Sequence, residues 1–207
     1  MLTRIVNFFG HAAVAGAASR EPGTLLGSML PDFATMIRGR LDATDDAAIA
    51  RGIEVHHATD ATFHQLPAAT ALMRELDDRL LRGGCARGPR RAVAHVGTEL
   101  LLDGVLVDNA THRDAYTTAL AADASAVRWR DDGDAERFAL LLARLRAHGV
   151  PDDLRRPDSI VQRLHRMLAH RPLLAPNAAD LDVIRRALIE HQPRVAVAAD
   201  TIMRSLI

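Results

Sequence analysis

Two runs of ligand-type side chains are the chemically distinctive feature of this sequence. His56, Asp60 and His64 follow one another at i, i+4 and i+8, and His95, Glu99 and Asp103 repeat that spacing. Residues four apart on an α-helix lie on one face, about 40° apart around the axis. Each run is therefore a polar stripe that mixes imidazole with carboxylate. The second stripe is set among Val96, Leu100, Leu101, Leu102, Val105 and Leu106, so its helix is expected to be central. Burying ionised Glu99 and Asp103 there is costly unless a cation compensates. A divalent metal is one such compensation, and an Arg pair is the other. A salt-bridged or solvated face accounts for either stripe alone. Two stripes on two helices favour a shared metal site, whose N and O donors suit Mn, Fe, Zn or Mg.

The elements that position these residues are helical throughout. Seven aromatics against 37 alanines lean the composition towards helix, and no alternating strand pattern of useful length occurs. Thr44 is expected to cap a helix that runs to about Gln65, and Pro67 to start the next, which stops at Gly83-Gly84. Pro89 opens a long helix to about Val107. Shorter helices are expected near 112–121 and 134–148, with another from Pro157 to about His170. Asn177 or Asp180 caps the last, to about Ser205, with a kink expected at Pro193. With no repeat, linker or composition break, residues 1–207 read as one all-α domain, a single helical bundle.

Composition narrows the function classes. The 26 cations are all arginine and balance 26 acids, so there is no basic excess for nucleic acid. Without lysine, neither a Schiff base nor a phosphate-loop lysine is available. The single Cys85 excludes an internal disulfide and a cysteine zinc cluster. No apolar run reaches transmembrane length. The start, from Arg4 to AVAGAAS, imitates a signal peptide, but Asn7 and His11 interrupt it where such a segment is most apolar. It reads as part of the fold, and a cytoplasmic location is expected.

Two further residues lie upstream. His11 sits in the apolar helical context NFFGHAAVA, where a lone histidine is usually a hydrogen-bonded core residue. Asp32 follows Pro31 in GSMLPDF and reads by itself as a helix cap or turn carboxylate. Glu54 and His57 stand at i, i+3, the element that ferritin-like di-iron sites use twice. The remaining histidines, His112, His148, His165, His170 and His191, read as helix-end or surface residues.

The succession NFFGHAAVA, GSMLPDF, GIEVHHATD, ELLLDGVLV resembles the bacterial acyl carrier protein phosphodiesterases. These are HD-type metal-dependent phosphohydrolases of non-standard form, without the adjacent His-Asp pair, which this chain also lacks. Asn7, Phe8 and His11 match the family's first segment, with Gly10 in place of Ala. Gly27, Asp32 and Phe33 match the second, Gly52, Ile53, His56 and Asp60 the third, and Glu99 with Asp103 a later Asp-x-x-x-Asp helix. Met167, Arg171 and Pro172 match a final Arg-Pro segment, so the likeness runs from residue 7 to about 175. It implies an HD-like helical fold, a divalent metal (Mn or Mg), and hydrolysis of the diester joining 4′-phosphopantetheine to a serine of acyl carrier protein. Departures at Ser28, Pro31, His57 and Glu99 bear on the substrate, which could be another phosphodiester. The extra imidazoles His64 and His95 open the metal to Fe or Zn.

The resemblance implies His11, Asp32, His56, Asp60 and Asp103 as the metal shell, with Asp32 and His11 either binding or orienting. Glu99 is expected as a ligand or general base, and His57 or His95 as the group that protonates the departing alkoxide. Two other readings stand beside this one. One is a di-iron oxygenase on an HD-like scaffold. The other is a catalytically inactive helical protein that docks the acidic carrier through the arginines at 82–91 and 155–156.

Overall fold

In the computed structural model, which describes residues 7–207, the described residues fold as nine α-helices and one 3-10 turn. The signal-like start at Arg4 lies outside the described residues. Among those residues the only β pairing is a single bridge between Leu41 and Trp129.

Helix α1 (Phe8–Ala18) has no polar face. Phe8 to Gly16 are all buried, so it runs through the middle of the molecule and carries His11 into the core. Helix α2 (Pro22–Ile37) starts on a proline and contains a second one, Pro31. It packs most extensively on α3 (Ala47–Phe63). That contact is glycine on glycine. A Cβ on Gly52 would strike the Thr24 carbonyl oxygen, and one on Gly27 the Ile49 carbonyl. Backbone cannot yield as a side chain can, so these helices approach this closely only because both residues lack a side chain. Alanine is ordinarily about 1 kcal/mol better than glycine inside a helix. Gly52→Ala is nevertheless expected to destabilise the protein by about 1–3 kcal/mol through overpacking, read as a lower urea midpoint.

Helices α4 (Pro67–Arg82) and α5 (Arg87–Leu106) follow, with Gly84 in the turn at a φ of 84°. Helix α6 (Ala110–Ala121) packs on α1, and α7 (Asp132–His148) on α2. The 3-10 turn (Asp152–Arg155) and α8 (Pro157–Leu168) lie against α5. Helix α9 (Ala178–Leu206) closes the bundle over α4 and α5. One continuous apolar core joins all of them. No helix among the described residues is long and apolar enough to cross a membrane.

The expected elements are present, with differences at their ends. Asp46, not Thr44, caps α3, accepting from the backbone N–H of Ala48 and Ile49, each at 2.9 Å. A carboxylate is the stronger partner for a helix N-terminus, and the Thr44 hydroxyl donates instead to the Ala126 carbonyl. Both candidate caps of α9 are used: Asn177 accepts from the Asp180 N–H while Asp180 accepts from that of Asn177, a reciprocal capping box. Asp180 also accepts from the Ala86 N–H, so α5 begins at Arg87, two residues before Pro89. Helix α9 continues through Pro193 without a break. His191 is a core residue rather than a surface one. It belongs to the inward row Ile184, Leu188, His191, Val195, and burial drives its pKa down to about 4.

Candidate metal centre

Helices α1, α2, α3 and α5 bring four imidazoles and four carboxylates together. His11 comes from α1 and Asp32 from α2. His56, Asp60 and His64 come from α3, and His95, Glu99 and Asp103 from α5.

The first ligand group is His11, His56 and Asp60, whose donor atoms lie within 4.8 Å of one another. The two imidazole rings are 3.9 Å apart between centroids. Each ring is held by its Nδ1. His11 Nδ1 donates to Asp32 Oδ2 at 2.9 Å, and His56 Nδ1 donates to the Ser28 carbonyl, also at 2.9 Å. Both Nε2 atoms therefore point at Asp60, 3.2 Å from Oδ1 for His11 and 3.6 Å from Oδ2 for His56. A ring fixed through one nitrogen by a carboxylate or carbonyl, with the other aimed at a shared point, is the usual arrangement behind a bound metal. Asp32 thus orients His11. It is a buried mid-helix residue, neither a cap nor a turn carboxylate.

Asp103 lies beside this group, lining the same small cavity as His11 and Asp60. It is 2% exposed, and its Oδ1 has no hydrogen-bond partner. His11, Asp60 and Asp103 share a cavity of about 20 Å³ with Gly10 and apolar side chains, room for about one water-sized occupant. Gly10 makes that space: a Cβ there would come within 2.8 Å of Asp103 Oδ1. The missing side chain of Gly10 admits the carboxylate.

Burial and the neighbouring charges together set how the group is protonated. Burial works against a charged His11, but Asp32 and Asp60 outweigh it and lift the imidazole to about 10. Burial, and then the His11 charge, push His56 down to about 3. Burial raises Asp32 to about 6 against the pull of His11, and raises Asp103 well above the ordinary carboxylate range. Burial would raise Asp60 too, but the hydrogen bond from His11 holds it below its usual value. At neutral pH His11 therefore carries a proton on both ring nitrogens. A metal that takes the Nε2 lone pair must displace the proton there, so binding is expected to release at least one proton per ion. Apparent affinity then rises about tenfold per pH unit below the His11 pKa. Calorimetric titration in buffers of different ionisation enthalpy reads the proton count directly.

A second group lies further along the same stripes. His64, His95 and Glu99 also bring their donor atoms within 4.8 Å of one another. The sequence-stripe residues thus all reach the cluster. His57 does not: one residue past His56 it is turned about 100° around α3. It is exposed, with its ring edge-on to His56 at 5.3 Å. It lines a cavity of about 800 Å³ with Glu54, Arg38 and Arg40. The Glu54–His57 pair therefore faces that cavity, and neither residue belongs to either ligand group.

Two contributions were not readable as function from residue types: the Ser28 carbonyl and the space left by Gly10. Pro31 gives no signal for the first: its missing N–H frees the Gly27 carbonyl four residues back, whereas it is the Ser28 carbonyl that accepts from His56. Three arginines line a cavity that contains no member of either ligand group. That cavity, of about 480 Å³ between α2, α5 and α8, is lined by Arg38, Arg166, Arg171, His170, Thr35 and Val96, among others. Thr35 follows Asp32 by one helical turn, and Val96 is next to His95. Arg38 caps α2 in the left-handed conformation, φ 55°, unusual for a residue with a side chain.

No protein-family model, curated protein or solved structure matches the chain.

Proposed function

We propose that this chain is a metal-dependent phosphodiesterase of the HD-like type, akin to the acyl carrier protein phosphodiesterases that its motifs resemble. The observation that carries the reading is the pair of buried, pre-oriented imidazoles of His11 and His56 converging on Asp60, with the buried Asp103 Oδ1 unpartnered beside them. Two imidazoles and two carboxylates would hold Mn, Mg, Fe or Zn. Such an ion polarises phosphoryl oxygens and makes a water acidic enough to attack near neutral pH.

The rest is the work of this chain. Asp32 holds His11 in the tautomer that frees Nε2, and Ser28 does the same for His56. The apolar lining supplied by Leu102, Leu106, Phe63 and Met203 keeps bulk water from the ligands and strengthens their charge interactions. Arg38, Arg166 and Arg171 give cationic walls to a cavity that Thr35 and Val96, neighbours in sequence of Asp32 and His95, also line, suited to an anionic diester and to the acidic surface of a carrier protein. Of the arginines at 155–156, Arg155 is engaged with Asp108 and Asp152, which favours the arginine-lined cavity as the substrate's approach.

The test is metal analysis of the native protein, followed by assay of that metallated form on holo-acyl carrier protein and on a generic phosphodiester. Release of 4′-phosphopantetheine that stops on chelation and returns with metal supports the reading. A metallated protein that cleaves neither substrate overturns it, and oxygen consumption by an iron form would replace it with the oxidative reading.

A further inference from the structure

His64, the C-cap of α3, reaches across to His95 and Glu99 on α5. His95 Nε2 lies 3.1 Å from Glu99 Oε1, and His64 Nε2 lies 3.9 Å from the same oxygen. The two imidazole rings are 4.7 Å apart between centroids. Glu99 is 4% exposed, and its second oxygen, Oε2, has no hydrogen-bond partner. A carboxylate at that depth with a free oxygen calls for a cation. No arginine supplies it: among the described residues the ion pairs of Glu99 are with His64 and His95 alone.

Position separates this group from the first. His64 is one turn, about 6 Å of helix rise, beyond Asp60, and Glu99 is one turn from Asp103. In the first group both imidazoles are buried and only Asp60 reaches solvent, at 33%, whereas in the second both imidazoles do, the His64 and His95 side chains being 37% and 23% exposed. Three protein donors on an open flank leave coordination positions free, as in catalytic rather than structural sites.

We propose that His64, His95 and Glu99 form a second divalent-metal site beside the buried one, so that the cluster holds two ions. Two imidazoles and one carboxylate select a transition ion such as Zn²⁺, Fe²⁺ or Mn²⁺ over Mg²⁺. The solvent-facing ion exchanges faster and is the first lost to a chelator. Glu99 and His95 thereby take a ligand's role in place of the acid–base role their types suggest. The proposal adds to the phosphodiesterase reading without depending on it, because ion count is its measure.

The experiment is titration of the metal-stripped full chain with Co²⁺, following its visible absorption, and with Zn²⁺, counted by elemental analysis after gel filtration. Two ions per chain are expected in the wild type. The double variant His64→Ala with His95→Ala removes side chains that reach solvent, and is expected to keep its helical circular dichroism and bind one ion. His56→Ala is expected to lose the buried ion and keep the outer one. One ion in the wild type, or two in the double variant, overturns the second site. Failure of the buried site reads differently, as a His56→Ala protein that binds metal as the wild type does.

Discussion

A His56→Ala protein is expected to lose at least about 100-fold in affinity for the buried ion, and its phosphodiesterase turnover with it at limiting metal. Loss of a residue that merely orients a ligand typically costs 10–100-fold, and His56 is placed as a ligand. Its Nδ1 is committed to the Ser28 carbonyl, which leaves Nε2 for the ion. Burial and the neighbouring His11 hold it neutral, with a pKa near 3, so no proton competes for that nitrogen above mildly acid pH. The control is next door. His57→Ala is expected to keep its metal, because that ring faces the 800 Å³ cavity and not the cluster. Elemental analysis of the two variants side by side decides the matter: equal metal content in both would sink the assignment.

Asp103→Asn is expected to act in opposite directions with and without metal. In the metal-free protein Asp103 is buried with an unpartnered oxygen, and burial holds its pKa well above the ordinary range. Its folded pKa thus exceeds its unfolded one. The stability associated with the protonated form is whole below the ordinary carboxylate pKa and drains away as pH rises towards the folded value. Asparagine carries no such term, so the melting temperature of the variant should gain on that of the metal-free wild type as pH is raised. With metal the order reverses. An ion at about a thousand times its Kd adds about 4 kcal/mol to a protein that binds it, and the variant forgoes most of this. Melting curves at several pH values, with and without Zn²⁺ or Mn²⁺, read both halves. A variant stabilised by metal as strongly as the wild type would remove Asp103 from the site.

Much of the helical organisation was legible in the chain. Pro67, Gly83-Gly84 and Pro157 bound their helices because these residues lack a donor or a side chain, properties that act through the local backbone whatever surrounds it. The i, i+4, i+8 stripes were legible for the same reason, since helical period alone puts those side chains on one face. Ends decided by competition among several polar groups were not. Asp46 displaced Thr44 because Thr44 found a partner 82 residues away. His191 defeated a reading from neighbours, because the row packed against α4 and α5 is set by contacts distant in sequence.

By itself the sequence determined an all-helical chain, two imidazole–carboxylate stripes, and the absence of lysine and of a cysteine cluster. Tertiary structure decided what the stripes are set against. It joined His11 and Asp32 to α3, 24 to 45 residues along, and turned His57 away while turning His56 in. It also left Asp103 and Glu99 each with one buried oxygen and no partner. Helical period is a local property, whereas the meeting of four helices depends on whether two backbones can touch. Here they touch at Gly27 and Gly52, where a missing Cβ on each side sets His56 against Ser28.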